Sequence, residues 1–175
     1  MKTILTISPS DFGLNDSISN NSKLHKRRTA RAVLLTSNDE VYLLNVSKHG
    51  YHKLPGGGIN EGESITQGLE RELLEEVGCR AEIINEVGAV VEHHNLNSNV
   101  LEQTSYCYLA RQAGEQTVSS LEKEELEEGI HEFKVGSIND AIKLLENDKP
   151  DNVQGRYIQK RELAFLKKAR ELMVD

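Results

Sequence analysis

Residues 54–79 read LPGGGINEGESITQGLERELLEEVGC, and this stretch decides the fold. Its glycine-rich part, Gly56, Gly57 and Gly58, is predicted to break any regular element. Three successive glycines permit positive φ angles and let a ligand or metal approach the backbone closely. A helix is predicted over Ser64–Val77, directly after this loop. The loop therefore brings main-chain groups beside the start of a helix.

The predicted helix carries acidic side chains on one face. At about 100° per residue, Glu72, Glu75 and Glu76 fall within about 100° of one another. The apolar side chains cover another arc and comprise Leu69, Leu73, Leu74 and Val77. Like charges this close repel one another, and Arg71 neutralises only part of the charge. Because Mg²⁺ and Mn²⁺ prefer carboxylate oxygens, the acidic face is a candidate divalent-metal site.

The glycine and charged positions of this stretch follow a fixed spacing. The pattern consists of Gly57, five residues, Glu63, seven residues, Arg71-Glu72-Leu73, one residue, Glu75-Glu76, one residue, and Gly78-Cys79. It resembles the Nudix box of the Nudix, or MutT-like, hydrolases. Cys79 is the one departure, because the family usually has Ile, Leu or Val there. A cysteine is small and readily buried, so the departure changes little. The strand order around the box is compatible with the family over residues 24–146.

The resemblance implies a fold, an activity and a set of roles. The Nudix fold is an α+β sandwich in which helices flank a mixed β-sheet, and its members hydrolyse a nucleoside diphosphate linked to a moiety X. The implied metal ligands are Glu72, Glu75, Glu76 and the Gly56 carbonyl. Arg71 would orient the glutamates by ion pairing. Glu63 would support the loop and the helix start, with direct metal coordination as the less favoured alternative. The expected cofactor is Mg²⁺, with Mn²⁺ as a substitute.

A general base is implied as well, either a glutamate of the site or one outside the box. A second acidic run offers Glu122, Glu124, Glu125, Glu127 and Glu128. Glu128 precedes Gly129 and a predicted strand, and we predict it as the catalytic residue of this run. Glu92 and Glu102 are weaker candidates. For most of the run, a solvated helix face or loop is the favoured interpretation.

Other residues near the box have both a functional and a structural interpretation. Tyr51 could stack on a base and Lys53 could pair with a phosphate, although a position at the rim accounts equally well for both. With the three glycines of the loop, they complete the predicted substrate-binding set. Arg28 and Arg31 could face a phosphate from the preceding strand. A solvated strand face is the favoured interpretation for these two arginines.

The order of the remaining elements is typical of an α+β or mixed α/β/α layer structure. A strand is predicted over residues 1–7, a polar arm over 8–23, and one domain with a C-terminal helix over 24–175. Further strands are predicted over 27–37, 41–46, 79–91, 100–110 and 130–135, and further helices over 137–146 and 155–173. We find no internal repeat and no second domain.

Residues 93–99 are predicted as a polar turn between two of these strands. His93 and His94 lie at its start. Neighbouring side chains of a strand point to opposite faces, so the two histidines cannot easily share one metal ion. Surface positions are the favoured interpretation for both.

The composition narrows the classes of function. The 175 residues suit one domain, and their net charge of −7 argues against a protein that coats nucleic acid. No stretch approaches the roughly 20 apolar residues of a membrane helix, and the N-terminus lacks the features of a secretory signal. Two cysteines are too few for a disulfide framework, which favours the cytoplasm. A nucleotide is the expected partner, and a homodimer is compatible with the sequence.

The substrate is predicted less sharply than the chemistry. Residues 54–58 are similar to those of nucleoside triphosphate pyrophosphatases, including enzymes that clear modified nucleotides. Two alternatives remain open, a catalytically silent domain that senses a nucleotide and an enzyme that hydrolyses the 5′ end of RNA. The intact set of glutamates argues against the silent domain, and the acidic chain argues against steering of RNA.

Overall fold

The computed structural model describes residues 1–15, 22–96 and 99–174. The strands are β1 (Thr3–Ile7), β2 (Lys23–Leu35), β3 (Val41–Val46), β4 (Tyr51–Lys53), β5 (Gly56–Gly58), β6 (Arg80–Leu96), β7 (Asn99–Ala113) and β8 (Ile130–Val135). The helices are α1 (Ile65–Val77), α2 (Lys123–Glu127), α3 (Ile138–Asn147) and α4 (Val153–Leu172), with a 3₁₀ helix at Pro9–Phe12. No helix in these ranges is both long enough and apolar enough to cross a membrane.

The described strands form one mixed sheet around β2. The strand order is β1-β6-β7-β2-β3-β4, with β5 paired to β2 and β8 paired to β3. Strands β2 and β7 run parallel over the whole length of β2, whereas β6 and β7 form a long antiparallel ribbon. Strands β2 and β3 pair only at Leu35 and Val41, so the sheet splits beyond that point. The glycine strand β5 lies on β2 in this split.

Side chains of β2 alternate between two cores. Val33 and Leu35 pack in one core with Phe165 and Leu166 of α4. The second core contains Ala32 and Leu34 of β2 with Leu69 and Leu73 of α1. Burying apolar side chains on both faces is the main stabilising contribution to such a layered fold. The predicted α+β sandwich, with a mixed sheet between helices, is therefore confirmed.

The sequence predicts α1 well because its signals are local. Ser64 accepts a hydrogen bond from the Gln67 N–H, and the Gln67 side chain accepts one from the Ser64 N–H. This capping box satisfies donors that have no partner inside the helix. At the other end, Gly78 adopts φ 64° and closes the helix.

The prediction that residues 56–58 break any regular element is wrong. Gly56–Gly58 form β5, which pairs antiparallel with Thr29–Arg31 of β2. A Cβ at Gly56 would overlap the Ala30 carbonyl oxygen, and Gly56 has φ 125°. Glycine is thus required for the close approach of two strands, and its presence does not mark a simple turn.

The N-terminal segment packs more closely than a polar arm would. Strand β1 is present as predicted and runs parallel to β6. The Phe12 ring lies 4.5 Å from the Tyr157 ring, and Lys160 forms an ion pair with Asp11 at 2.6 Å. Residues 16–21 of the predicted arm lie outside the described residues.

Several predicted element boundaries are also wrong. Strand β2 covers Lys23–Leu35 where 27–37 was predicted, and β7 ends at Ala113 where 110 was predicted. Strand β6 extends to Leu96, and strand β7 begins at Asn99. Residues 93–96 are therefore part of a strand and do not form the predicted turn. The pairing of His93 with Glu102 in the ribbon continues the ladder beyond the apolar run. Residues 97 and 98 lie outside the described residues. Helix α4 begins at Val153, two residues earlier than predicted, because Asn152 caps it.

Candidate active site

A cleft of about 1030 Å³ opens where β5, α1, α4 and the acidic run meet. Its volume is at the upper end of the range for small-molecule sites. The predicted site residues that line it are Tyr51, Lys53, Gly56, Gly57, Gly58, Glu72, Glu75, Glu76 and Glu128. Arg71 does not line the cleft, but it contacts lining residues Glu72, Glu75 and Gly58. The structure therefore brings the predicted set to one cleft.

Arg71 connects the glycine strand to the acidic face of α1. Its Nη1 donates to Glu72 at 2.7 Å and to Glu75 at 3.4 Å. Its Nη2 donates to the Gly58 carbonyl at 2.8 Å, and its Nε donates to Glu63 at 2.9 Å. A guanidinium with this many partners fixes the orientation of each of them. Arg71 is therefore placed to position the glutamates.

Glu63 is occupied by the loop and by Arg71. Its Oε2 accepts from the Asn60 N–H at 2.8 Å, which closes the turn before α1. The hydrogen bond from Arg71 lowers the pKa of Glu63 to about 2. These contacts fit the support of loop and helix start rather than direct metal coordination.

Glu76 is a buried carboxylate held by two donors. It is 1 % exposed, and it accepts hydrogen bonds from the Gly56 N–H and from Lys53 Nζ, the latter at 3.0 Å. Burial raises the pKa of Glu76 to about 7, while Lys53 and Arg31 oppose the shift. Removal from water disfavours the charged form more strongly than these cations favour it.

This shift predicts how Glu76→Gln changes stability in metal-free buffer. The pKa of Glu76 in the folded protein lies above the unfolded value of 4.5. The contribution of Glu76 to the free energy of unfolding is therefore lost as pH rises from 4.5 through 7. A difference of this size corresponds to about 3 kcal/mol, and glutamine does not titrate. We expect the melting temperature of the variant, relative to wild type, to increase between pH 5.5 and pH 8.5. A constant difference across this range would contradict the expectation.

Lys53 and Tyr51 are both engaged within the protein. Lys53 Nζ contacts Glu76 and lies 3.9 Å from a Glu125 carboxylate oxygen. In this structure it therefore pairs with acids of the site, whereas the sequence suggested pairing with a substrate phosphate. Tyr51 is 6 % exposed, and its ring packs so closely on Gly155 of α4 that a Cβ there would lie 2.7 Å away. Tyr51 lines the cleft, but because its ring is buried, little of the ring surface is accessible for stacking on a base.

Three glutamates of the acidic run reach the cleft, namely Glu122, Glu125 and Glu128. Glu128 forms ion pairs with Lys48 at 3.0 Å and with His49 at 2.8 Å. The Lys48 hydrogen bond lowers the pKa of Glu128. Glu125 is the member that shares Lys53 with Glu76. Helix α2 and the residues that cap its two ends thus supply carboxylates to the cleft.

Two interpretations of surface positions are wrong. Arg31 is only 8 % exposed and lines the cleft, although Arg28 is exposed as predicted. His94 is half-buried, and its ring lies 4.1 Å from the Tyr157 ring, so burial lowers the pKa of His94. The alternation of side chains along β2 could have indicated that Arg31 is buried, because Arg31 shares a strand face with the core residues Val33 and Leu35.

A buried polar cluster forms the floor of the cleft and was not predicted as a unit. Glu92 Oε2 accepts from Gln103 Nε2 at 2.6 Å and from Arg161 Nη1 at 2.9 Å. Arg161 also donates to Glu162 at 2.7 Å. Glu92, Arg161 and Glu162 are each at most 2 % exposed. Only the packing of α4 on β6 brings these charges together, so no local pattern reveals the cluster.

The chemistry of the donor set fits a hard divalent cation, although the side chains are not arranged as a metal centre. Among the described residues, no group of three or more His, Cys, Asp or Glu is placed to hold a metal ion. Glu72 and Glu75 are held by Arg71, and Glu76 by Lys53. Glu72, Glu75 and Glu76 nevertheless line one cleft and offer the oxygen ligands that Mg²⁺ prefers.

Comparisons with solved structures agree with this architecture. A mutator MutT protein from Bacillus halodurans is 21 % identical, with a TM-score of 0.55 over 77 % of this chain and 80 % of that chain. A Nudix hydrolase from Nitrosomonas europaea is 16 % identical, with a TM-score of 0.55 over 84 % and 90 %. An ADP-ribose pyrophosphatase from Streptococcus suis is 19 % identical, with a TM-score of 0.51 over 82 % and 91 %. At these identities the likeness shows the fold.

The sequence itself carries the family assignment. No curated protein sequence matches the chain. The family model of the NUDIX domain matches residues 25–156, most of the chain. Members of this family hydrolyse phosphoanhydride bonds of nucleoside diphosphate derivatives and generally use divalent metal ions. With this match, and with three glutamates of the box lining one cleft, the chain belongs to the Nudix family of hydrolases.

Proposed function

We propose that this chain is a nucleoside triphosphate pyrophosphohydrolase that depends on Mg²⁺ and also accepts Mn²⁺. One observation carries the proposal, namely that the acidic face of α1 and the glycine strand β5 meet in a single cleft. Residues 54–58, which resemble the corresponding segment of triphosphate pyrophosphatases, support the choice of substrate. Modified nucleotides are included in this class.

In this proposal Glu72, Glu75, Glu76 and the Gly56 carbonyl hold the metal ion. When bound, Mg²⁺ neutralises charge on the phosphates and lowers the pKa of a bound water. Arg71 keeps Glu72 and Glu75 in position through the two hydrogen bonds from its Nη1. The glycine strand presents backbone without side chains to the phosphates, which leaves room for them.

The chain's carboxylates then handle the proton. A glutamate of the cleft accepts a proton from the water that attacks phosphorus, and no covalent enzyme intermediate is needed. Glu128 is the predicted base of the acidic run, and Glu125 is the alternative because it shares Lys53 with Glu76. The products are a nucleoside monophosphate and pyrophosphate. Comparing Glu128→Gln with Glu125→Gln decides between the two bases.

A second candidate is hydrolysis at the 5′ end of RNA, which one surface feature favours. The first residues of β2 are exposed and basic, Lys23, His25, Lys26, Arg27 and Arg28. Arg27 lines the cleft, so this basic strand end adjoins the site. The basic start of β2 could bind the phosphates that follow the first nucleotide of an RNA, although the net charge of the chain is −7.

A substrate panel tests the proposal. The panel contains ordinary and oxidised nucleoside triphosphates, ADP-ribose, nucleotide sugars and 5′-triphosphate RNA, each with Mg²⁺ or Mn²⁺. We expect the highest kcat/KM for a nucleoside triphosphate, with pyrophosphate as product. A preference for ADP-ribose, nucleotide sugars or RNA would reassign the substrate, and turnover of none of them would support a silent sensing domain.

The location of the enzyme is part of the same proposal. Cys79 and Cys107 are both buried and free of disulfide bonds. Burial raises the pKa of both thiols, which makes them unreactive. The cytoplasm, where thiols stay reduced and nucleotides are abundant, is the compartment we propose.

A further inference from the structure

Arg31 is a buried cation whose donors are not satisfied by the protein. It lies on β2, is 8 % exposed and lines the cleft. Its Nε and Nη1 have no hydrogen-bond partner among the described residues. Buried polar groups are nearly always paired, and an unpaired buried charge is strongly unfavourable. An arrangement of this kind persists when function requires it.

The neighbouring acids each have an oxygen engaged elsewhere, although Glu162 Oε2 is itself buried without a partner among the described residues. Glu162 accepts from Arg161 at 2.7 Å, and Glu76 is held by Lys53 and by the Gly56 N–H. Burial lowers the pKa of Arg31, the Arg161 charge lowers it further, and the acids Glu162, Glu76 and Glu72 only oppose this. Within the described part of the chain, Arg31 thus lies close to negative charge without a direct ion pair.

Arg31 lies directly beside the glycine strand β5. Arg31 is the ladder partner of Gly56 across β2 and β5, and a Cβ on Gly56 would lie 2.9 Å from the Arg31 Cα. Glu72 and Glu76 of α1 line the same cleft. The Arg31 side chain therefore borders the part of the cleft in which phosphates are expected to lie.

We propose that Arg31 is a catalytic residue whose guanidinium donates to phosphoryl oxygens of the substrate's diphosphate. A guanidinium presents donors in a planar fork that matches two oxygens of one phosphate, which an ammonium cannot do. Charge that develops on the phosphoryl group in the transition state strengthens this contact. The inference rests on the proposed function only in requiring a phosphoanhydride substrate, whatever its base.

The test uses Arg31→Met, which keeps an unbranched side chain and removes the charge. Arg80→Met is the matched control, because Arg80 is an exposed arginine of β6 that does not line the cleft. Three quantities are measured for each variant, namely the melting temperature, its increase with inorganic pyrophosphate with and without Mg²⁺, and kcat and KM on the best substrate of the panel. Arg31→Lys is measured as well, since it keeps the charge but not the fork.

We expect Arg31→Met to melt at or above the wild-type temperature, since it removes an unpaired buried charge. It should lose the pyrophosphate-induced increase and about 10²–10³-fold in kcat/KM, in line with the loss of one preorganised donor group. Arg31→Lys should recover part of the melting response but stay at least about tenfold below wild type in kcat/KM. Arg80→Met should match wild type in all three quantities.

Several results would overturn the proposal. These are an intact pyrophosphate response in Arg31→Met, wild-type turnover in Arg31→Lys, or an unchanged wild-type melting temperature in pyrophosphate. A variant that melts much lower but keeps its turnover per folded molecule would show that Arg31 is structural. If Arg31→Met does not fold, Arg31→Lys decides the question. If the wild type hydrolyses no triphosphate, the proposed function fails, while the pyrophosphate response still tests Arg31.

Discussion

Glu75→Gln and Glu76→Gln are each expected to fold and to lose roughly 10²–10⁴-fold in kcat at saturating Mg²⁺. Both side chains line the cleft, and the amide removes a charge that the metal ion and the proton transfer require. Weakened metal binding adds to the loss. Steady-state kinetics over a Mg²⁺ titration separate the two effects, because lost affinity alone is overcome by more metal.

Glu70→Gln is the control for these variants. Glu70 lies on the same helix, is exposed and does not line the cleft. Its substitution should leave kcat and the Mg²⁺ dependence unchanged. If Glu75→Gln and Glu76→Gln both retain wild-type turnover at saturating Mg²⁺, the assignment of the site to this face of α1 is wrong.

Gly57→Val is expected to reduce turnover by at least about 10²-fold, comparable to the misplacement of a catalytic group. The reason is steric, because a Cβ at Gly57 would overlap the Glu72 carboxylate. The sequence suggested a need for positive φ at this position, but Gly56 is the glycine of the three with positive φ. Valine would push Glu72 away from Arg71 and from the cleft.

Gly62→Val separates this effect from backbone strain. Gly62 has φ 83° in the segment between β5 and α1, and a Cβ there would meet nothing within 4 Å. Its substitution should lower stability by about 1–3 kcal/mol, with turnover per folded molecule unchanged. Melting temperatures, together with rates measured where each variant is fully folded, distinguish the two cases. An unchanged rate in folded Gly57→Val would mean that this strand does not shape the phosphate site.

The sequence predicts the helix of the site because its signals are short-range. Ser64, Gln67 and Gly78 determine the ends of α1 within one turn of each end. The spacing of Glu72, Glu75 and Glu76 places all three on the cleft side once those ends are set. Arg71 follows from the same periodicity, since its partners Glu72 and Glu75 lie within four residues along the helix.

The parts that could not be predicted depend on contacts between distant residues. The glycine strand β5 exists only because β2, about 25 residues earlier, offers an edge where the sheet splits. Arg31 is buried by elements that follow it in sequence. The floor of the cleft pairs Glu92 with Arg161, which lie 69 residues apart. No local pattern distinguishes such buried charges from the solvated ones that are usual for these residue types.

The central claim is that this cleft hydrolyses a phosphoanhydride bond with the help of a divalent metal ion. Release of pyrophosphate from nucleoside triphosphates by the wild type, in Mg²⁺ and in excess chelator, tests it most directly. We predict release in Mg²⁺ that rises from pH 7 to pH 8.5, stops in chelator, and returns when Mg²⁺ or Mn²⁺ is added back. Full turnover in excess chelator, or no phosphoanhydride cleavage with either metal, would contradict the account.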